Sequence, residues 1–390
     1  MNPRPQARML AVTLGAAALA ALTAACGSGT SPSADAAAPA KGTVNVTITD
    51  AGCKADPSTL TAGAVTFNAT NTDAAAVTEV ELLSNGRIIA EKENLAPGFS
   101  GKFSLKLDGG EYDLYCPGAT QEHTKITVTG KTAAATGDTA TLLQQGAADY
   151  ATYVKTQAGL LVDNVKPMVD AIKAGDLAAA QAGYAKSRVY YERIEPVAES
   201  FTIGSDSLDQ DIDAREGDVP ADQWTGFHVI EKGLFEAKSV SGLAPVADGL
   251  LANVGKLRDL VQNQTYKPDE IVNGAGGLLD EVSTTKITGE EERYSHIDIV
   301  DLQANVEGSE QAFAAVKPAL EKIDPALAQT IGTRFTAVDQ MLDKYRDPNA
   351  LGGFALFSSV SPQDLRALSE AIAAVKDPLS EAGGKIAAAG

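Results

Sequence analysis

The segment Gly226-Phe227-His228-Val229-Ile230-Glu231 sets an imidazole and a carboxylate three residues apart. Residues at i and i+3 of a helix share a face, so His228 and Glu231 can hold one transition-metal ion between them. The chain has only three histidines, which makes one in this register informative. Glu192 and Glu195 repeat the spacing in Tyr191-Glu192-Arg193-Ile194-Glu195-Pro196. The two pairs read as halves of one site, with neighbouring helices each aiming two donors into a bundle interior. Carboxylate-bridged iron bundles are built this way, with the order of Glu and His reversed on the ligand helix. One nitrogen and several oxygens suit iron, manganese or zinc and do not suit copper(I). Taken alone, His-x-x-Glu is a weak signal, because such a pair on a helix is commonly just an exposed polar pair.

Other polar clusters flank these pairs. Asp209, Asp211 and Asp213 form an acidic loop before Arg215-Glu216. It is either solvated or the source of one more ligand from among its aspartates. Lys286-Ile287-Thr288-Gly289-Glu290-Glu291-Glu292 reads as a helix entry, with Thr288 as N-cap and Glu291 in the capping-box position. His296 and Asp298 follow it; His296 fits a surface histidine better than a ligand. A zinc peptidase needs two histidines four apart with a glutamate beside the first, and no second histidine lies near His228. No Gly-x-Ser-x-Gly elbow is present, and Cys116 belongs to a different part of the chain. Catalysis is therefore disfavoured.

The elements that must position these residues change character along the 390-residue chain. Arg4 and Arg8 precede an apolar run from Met9 to Ala25, the pattern of a signal peptide over residues 1–25. Leu22-Thr23-Ala24-Ala25-Cys26 resembles a bacterial lipobox with its leucine one place early, which marks Cys26 for lipidation. Residues 26–40, rich in Ser, Ala, Gly and Pro, read as a flexible tether. Residues 41–130 read as short strands: Val44, Val46 and Ile48 alternate with polar residues, and Asn85-Gly86 and Asp108-Gly109-Gly110 mark turns. That pattern predicts a small β-sandwich. Residues 131–139 carry no core pattern and form a linker, and from residue 140 to 390 the period becomes helical. Asp176 is a candidate N-cap for a helix through Tyr191 and Glu195, and Pro220 opens the helix carrying His228. The last helix is expected over Pro362 to Val375. The fold class is thus multidomain, an all-β sandwich followed by an all-α bundle. A net charge of −19 leaves no basic stripe to displace counterions from phosphates, so nucleic acid is excluded as a partner.

Tyr191-Glu192-Arg193-Ile194-Glu195-Pro196-Val197-Ala198-Glu199, Ile212-Asp213-Ala214-Arg215-Glu216, Gly226 to Lys232 and Thr285 to Glu291 together resemble the EfeO family, the extracytoplasmic component of the EfeUOB iron-uptake system. The likeness implies a cupredoxin-like N-terminal domain and an imelysin-like C-terminal domain of the peptidase-named group that carries His-x-x-Glu. It implies capture of iron, ferrous or ferric, outside the cytoplasmic membrane. It further implies delivery to an iron permease, with a haem-peroxidase-like component in the same system. His228 and Glu231 match the family motif, Glu192 and Glu195 fall at its acidic pair, and Asp209 and Asp298 are weaker carry-overs.

Cys53 and Cys116 in the sandwich are open to two readings. Outside the cytoplasm two thiols in one domain often pair; alternatively they bind metal. His123 follows Cys116 by seven residues, yet a blue-copper centre wants two histidines and a cysteine, and this domain has no second histidine. The resemblance instead suggests a site of Cys53, Cys116, Glu79 and Glu81, taking copper or a second iron. Glu79 and Glu81 flank Val80 and share a strand face, which an exposed face explains equally well. The leading expectation is a lipid-anchored iron-binding protein of the cell envelope that is not an enzyme. A surface metallopeptidase and a polysaccharide- or partner-binding lipoprotein are the alternatives.

Overall fold

A computed structural model describes residues 42–133, 136–204 and 206–390. The expected signal peptide, the whole tether and Cys26 lie outside the described residues. Two sheets face each other in the first domain. One has the order β2 (Gly52–Asp56), β1 (Thr43–Thr49), β4 (Gly63–Asn71), β7 (Ser100–Leu107). The other runs β3 (Thr59–Thr61), β9 (His123–Thr129), β8 (Gly110–Tyr115), β5 (Val80–Ser84), β6 (Arg87–Lys92). The period-two pattern decides which side chains go inside: Val44, Val46 and Ile48 are buried while their neighbours are not. Phe67 and Phe103 stack within the core at 5.0 Å between ring centres. Cys53 of β2 and Cys116 just after β8 form a disulfide that staples the two sheets.

The helical domain begins with α1 (Asp138–Ala174), which reverses at Gly175 into α2 (Leu177–Glu192). Gly175 adopts φ 78, and Asp176 caps α2 by accepting from the Ala179 amide. Two short helices follow, α3 (Leu208–Asp213) and α4 (Phe227–Glu231). Then come α5 (Ala244–Val261), α6 (Pro268–Thr284), α7 (Asp298–Ile323), α8 (Pro325–Leu342) and α9 (Pro362–Ala389). The central helix is α7, buried on almost every face in its first half and packed by α1, α6 and α8. The expected end of the last helix at Val375 is too early. The helix continues through Pro378, because burying Leu379, Ala382 and Ile386 offsets the hydrogen bond that proline removes.

Helix α6 ties the two domains. Its Glu270 pairs with Arg87 at 2.8 Å, Asp269 accepts from the Lys106 amide at 2.7 Å, and Asn273 donates to the Ser104 carbonyl at 2.7 Å. Two turns further on, Asp280 pairs with Lys92 of the sandwich and, at 2.6 Å, with Lys376 of α9.

Three local expectations are corrected. Glu192 and Glu195 do not share an α-helix. Pro196 cannot supply the amide that would continue α2, so the helix ends at Glu192 and Glu195 opens a 3₁₀ turn over Glu195–Ser200. Pro220 opens only a turn; the helix bearing His228 starts at Phe227, because Gly226 at φ 85 breaks the path. Thr288 caps no α-helix either, since Gly289 turns the chain at φ 85 and the next helix waits until Asp298.

Two glycines hold the segment between Arg193 and Pro196 in place. A Cβ on Gly274 of α6 would sit 1.8 Å from the Pro196 carbonyl oxygen, and one on Gly308 of α7 would sit 2.4 Å from that of Arg193. Backbone cannot yield as a side chain does. Gly274→Ala is therefore expected to lower the stability of the chain by about 1–3 kcal/mol through overpacking. Urea unfolding followed by circular dichroism measures it, with Gly277→Ala, which meets nothing within 4 Å, as the control.

Candidate metal centre

The five residues of α4 bring His228 and Glu231 inward together, and both are buried. Glu231 is spoken for: Oε1 accepts from the amides of Tyr294 and Ser295, each at 2.8 Å, and Oε2 lies 3.1 Å from His228 Nδ1. The other ring nitrogen, His228 Nε2, has no hydrogen-bond partner among the described residues although it is buried. It faces Asp213 Oδ1 at 3.5 Å and Glu291 Oε1 at 3.6 Å, too far for hydrogen bonds. Burial opposes a charge on this ring. The Glu231 bond and the negative fields of Glu291 and Asp213 outweigh it and lift the imidazole to about 9.

Arg188 lies at the centre of the cluster, with no side-chain exposure. Its guanidinium contacts Glu192 at 2.5 Å, Glu291 and Glu292 at 3.1 Å, Asp301 at 3.0 Å, and Asp213. Phe227 covers one side, with the guanidinium carbon 5.2 Å from the ring centre. Lys286, equally buried, reaches Glu195 at 2.6 Å, Glu291 at 3.2 Å and Glu192 at 3.6 Å. Asn305 of α7 donates to Glu192 at 3.0 Å and Glu195 at 2.6 Å. The acids outnumber these cations, and the excess shows in their titration. Burial pushes Glu192 and Glu292 well up, and Asp213 and Asp298 up to about 7. Burial also works against Glu291, but Lys286, His228 and Arg215 outweigh it and hold that carboxyl well below its usual range.

Three overlapping sets of side chains each place their ligand atoms within 4.8 Å of one another: Asp213, His228 and Glu291; His228, Glu231 and Glu292; and Glu192, Glu291 and Asp301. Of the expected residues, His228 and Glu231 share one set and Glu192 falls in another. Glu195 joins through Lys286 and Asn305 rather than through a helix face. The aspartate beside the imidazole is Asp213, at the end of α3, whereas Asp209 bonds the Tyr191 hydroxyl and lines the approach. Asp298 accepts from the Glu292 amide at 3.0 Å and belongs to none of the three sets. His296 is exposed. The residues missed are Asp213, Glu291, Glu292 and Asp301; Glu291 is common to two of the sets, and its signal was present in a run of three glutamates that also reads as a helix cap.

In the sandwich, the disulfide corrects the expectation of thiolate ligands: bonded to each other, Cys53 and Cys116 offer no S⁻. His123 pairs with Asp113 at 2.7 Å and stacks on Tyr115, with ring centres 4.7 Å apart. Glu81 is buried, and Glu79 lines a cleft of about 480 Å³. The same cleft is bordered by Glu195, Asp209, Asp213, Lys286 and Glu291.

A cupredoxin-like sandwich joined to an imelysin-type bundle, with an acid and imidazole cluster in the bundle, defines the class. The family model for imelysin matches residues 146–382, and that for a cupredoxin-like domain matches residues 15–128. The iron uptake system component EfeO of Escherichia coli O157:H7 is 40% identical over 344 residues, covering 87% of this chain and 90% of that protein. Its counterparts in Escherichia coli strain K12 and Shigella flexneri are 39% identical over the same length. The chain belongs to the EfeO family. A crystal structure from Parabacteroides distasonis, assigned as an iron-regulated protein A precursor, shares the fold. Its TM-score is 0.51 at 16% identity, and it covers 63% of this chain and 95% of that one.

Two outcomes follow. Arg188→Met keeps the length and removes the charge, stranding five acids; the expected loss is about 3–5 kcal/mol in urea unfolding. The pH dependence has a definite sign. Asp213 and Asp298 titrate near 7 when folded and near 4 when unfolded, and His228 near 9 against 6.5. Each raised group stabilises fully below its unfolded pKa and loses that contribution as pH climbs through the folded one. The metal-stripped chain should therefore melt at a lower temperature at pH 8 than at pH 5.5, as calorimetry at the two pH values will show.

Proposed function

We propose that this chain is the extracytoplasmic iron-binding component of an EfeUOB-type uptake system. In this reading it is held to the membrane through a lipid on Cys26, captures iron at the His228 centre, and passes it to an iron permease. A haem-peroxidase-like component works in the same system. Family membership supports the uptake role, the relatives being described as iron uptake system components. Among the described residues, no helix is long and apolar enough to cross a membrane.

The observation that carries the binding site is the buried, unpartnered Nε2 of His228 between Asp213 and Glu291. An imidazole that ligates a metal usually gives its other N–H to a carboxylate, which fixes the ring. Glu231 occupies that place, with its second oxygen locked on two backbone amides. In this reading His228, Asp213 and Glu291 bind iron and Glu231 orients the ring. Lys286, on a flexible stem at the cleft floor, is the resident cation that gives way as iron arrives. A peptidase reading lacks a free general base here, because both Glu231 oxygens are engaged.

Iron titration of the metal-stripped full chain tests this. His228→Ala should weaken binding at least a hundredfold. Glu231→Gln should weaken it by about 10–100-fold, the range for a lost orienting partner. Unchanged affinity in both variants would sink the assignment.

A further inference from the structure

Residues 214–226 link two members of the His228 centre: Asp213 lies immediately before them and His228 two places after. The ends of this stretch are drawn together. Trp224 Nε1 donates to the Ala214 carbonyl at 2.8 Å, and a Cβ on Gly226 would sit 2.2 Å from the Ile212 carbonyl oxygen. A surface loop of this length with closed ends is an Ω-loop. Its middle has no apolar anchor, since only Ala214 and Gly226, at the two ends, are buried. Its own backbone supplies little: a bridge between Glu216 and Val219, and turn bonds from the Asp218 amide to Arg215 at 3.2 Å and from the Gln223 amide to Pro220 at 2.8 Å.

Charge holds the loop instead. Lys232 Nζ lies 5.5 Å from the centre of the Trp224 ring and 5.3 Å from that of Tyr294, within cation–π reach of both. It donates to Glu216 Oε1 at 2.7 Å, and the Tyr294 hydroxyl donates to the other oxygen of Glu216. Lys232 thus joins three segments, and each carries part of the metal centre. Glu216 and Trp224 belong to the loop that follows Asp213. Lys232 itself follows His228 and Glu231 of α4. Tyr294 follows Glu291 and Glu292, and its amide donates to Glu231. On the cleft side Arg215 makes a second tie, to Glu291 at 3.1 Å and to Asp218 at 3.2 Å. The Lys232 and Glu216 side chains are 36% and 40% exposed, so water and salt weaken their pairing. A loop held by contacts of this kind opens locally, without global unfolding.

We propose that residues 214–226 are a strap whose opening sets the rate at which metal leaves the His228 centre, with Lys232 as its clasp. The inference rests on His228 and Asp213 being metal ligands. Opening loosens both together, because each joins the strap through no more than one residue. Lys232 is a positioning residue in this scheme, acting through Glu216, Trp224 and Tyr294.

The test uses the full chain loaded with ferrous iron in the absence of oxygen, and an excess of a coloured chelator. Lys232→Met keeps the length and removes the charge. Iron should then leave about tenfold faster, the scale of a cation–π contact and an exposed ion pair lost together. Lys232→Arg keeps the charge, stacks on aromatic rings, and should restore the parent rate. In the metal-free chain, amide hydrogen exchange should quicken over residues 214–226 in Lys232→Met and stay unchanged in α1 and α7, which a general loss of stability would not produce. Exchange that quickens throughout the chain, or not at all, overturns the strap. Iron that requires His228 for binding yet leaves Lys232→Met at the parent rate also overturns the strap, and leaves the metal assignment standing. Iron affinity unchanged in His228→Ala removes that assignment, and the strap's role with it.

Discussion

A single buried guanidinium organises this protein. Arg188 sits on α2 at the point where α3, the turn after Gly289 and α7 meet, and each brings it at least one carboxylate. An isolated charge at such depth costs several kcal/mol, and so does each acid around it. Only together are they tolerable, so the ends of four chain segments are fixed relative to one another by one shared charge balance. The balance is deliberately short of cations: with Lys286 included, the acids still exceed the bases. A site in that condition has unmet demand for positive charge, met by protons at low pH or by a metal ion. The orientation of His228 belongs to the same arrangement, because Asp213 and Glu291 face both the guanidinium and the open ring nitrogen.

The sequence exposed part of this and hid part for identifiable reasons. Strand alternation and helical period were readable because burial enforces them, and His228 with Glu231 was readable because one short helix carries both. The pairing of Glu192 with Glu195 was readable as a spacing, but not as a geometry: Pro196 ends the helix between them, and the two converge through Lys286 and Asn305 from distant segments. Glu291 looked like a cap because Thr288 precedes it at the right interval. Only the left-handed turn at Gly289 reveals that no helix starts there. Asp213 was passed over for Asp209 since nothing in a loop of alternating aspartates tells which one faces the imidazole. Arg188 went unremarked for a similar reason: an arginine on a helix is ordinarily at the surface, and its burial depends on contacts more than a hundred residues away.

The ties along α6 carry a mechanical consequence. Many binding proteins grip cargo by swinging two lobes about a hinge. Here one rod is bolted to the sandwich at Asp269, Glu270, Asn273 and Asp280, and the last of these also grips α9. Jaw-like closure would have to shear all of those bonds at once. The gap between the lobes is therefore an aperture braced along α6, whose lining side chains can rearrange while its frame holds.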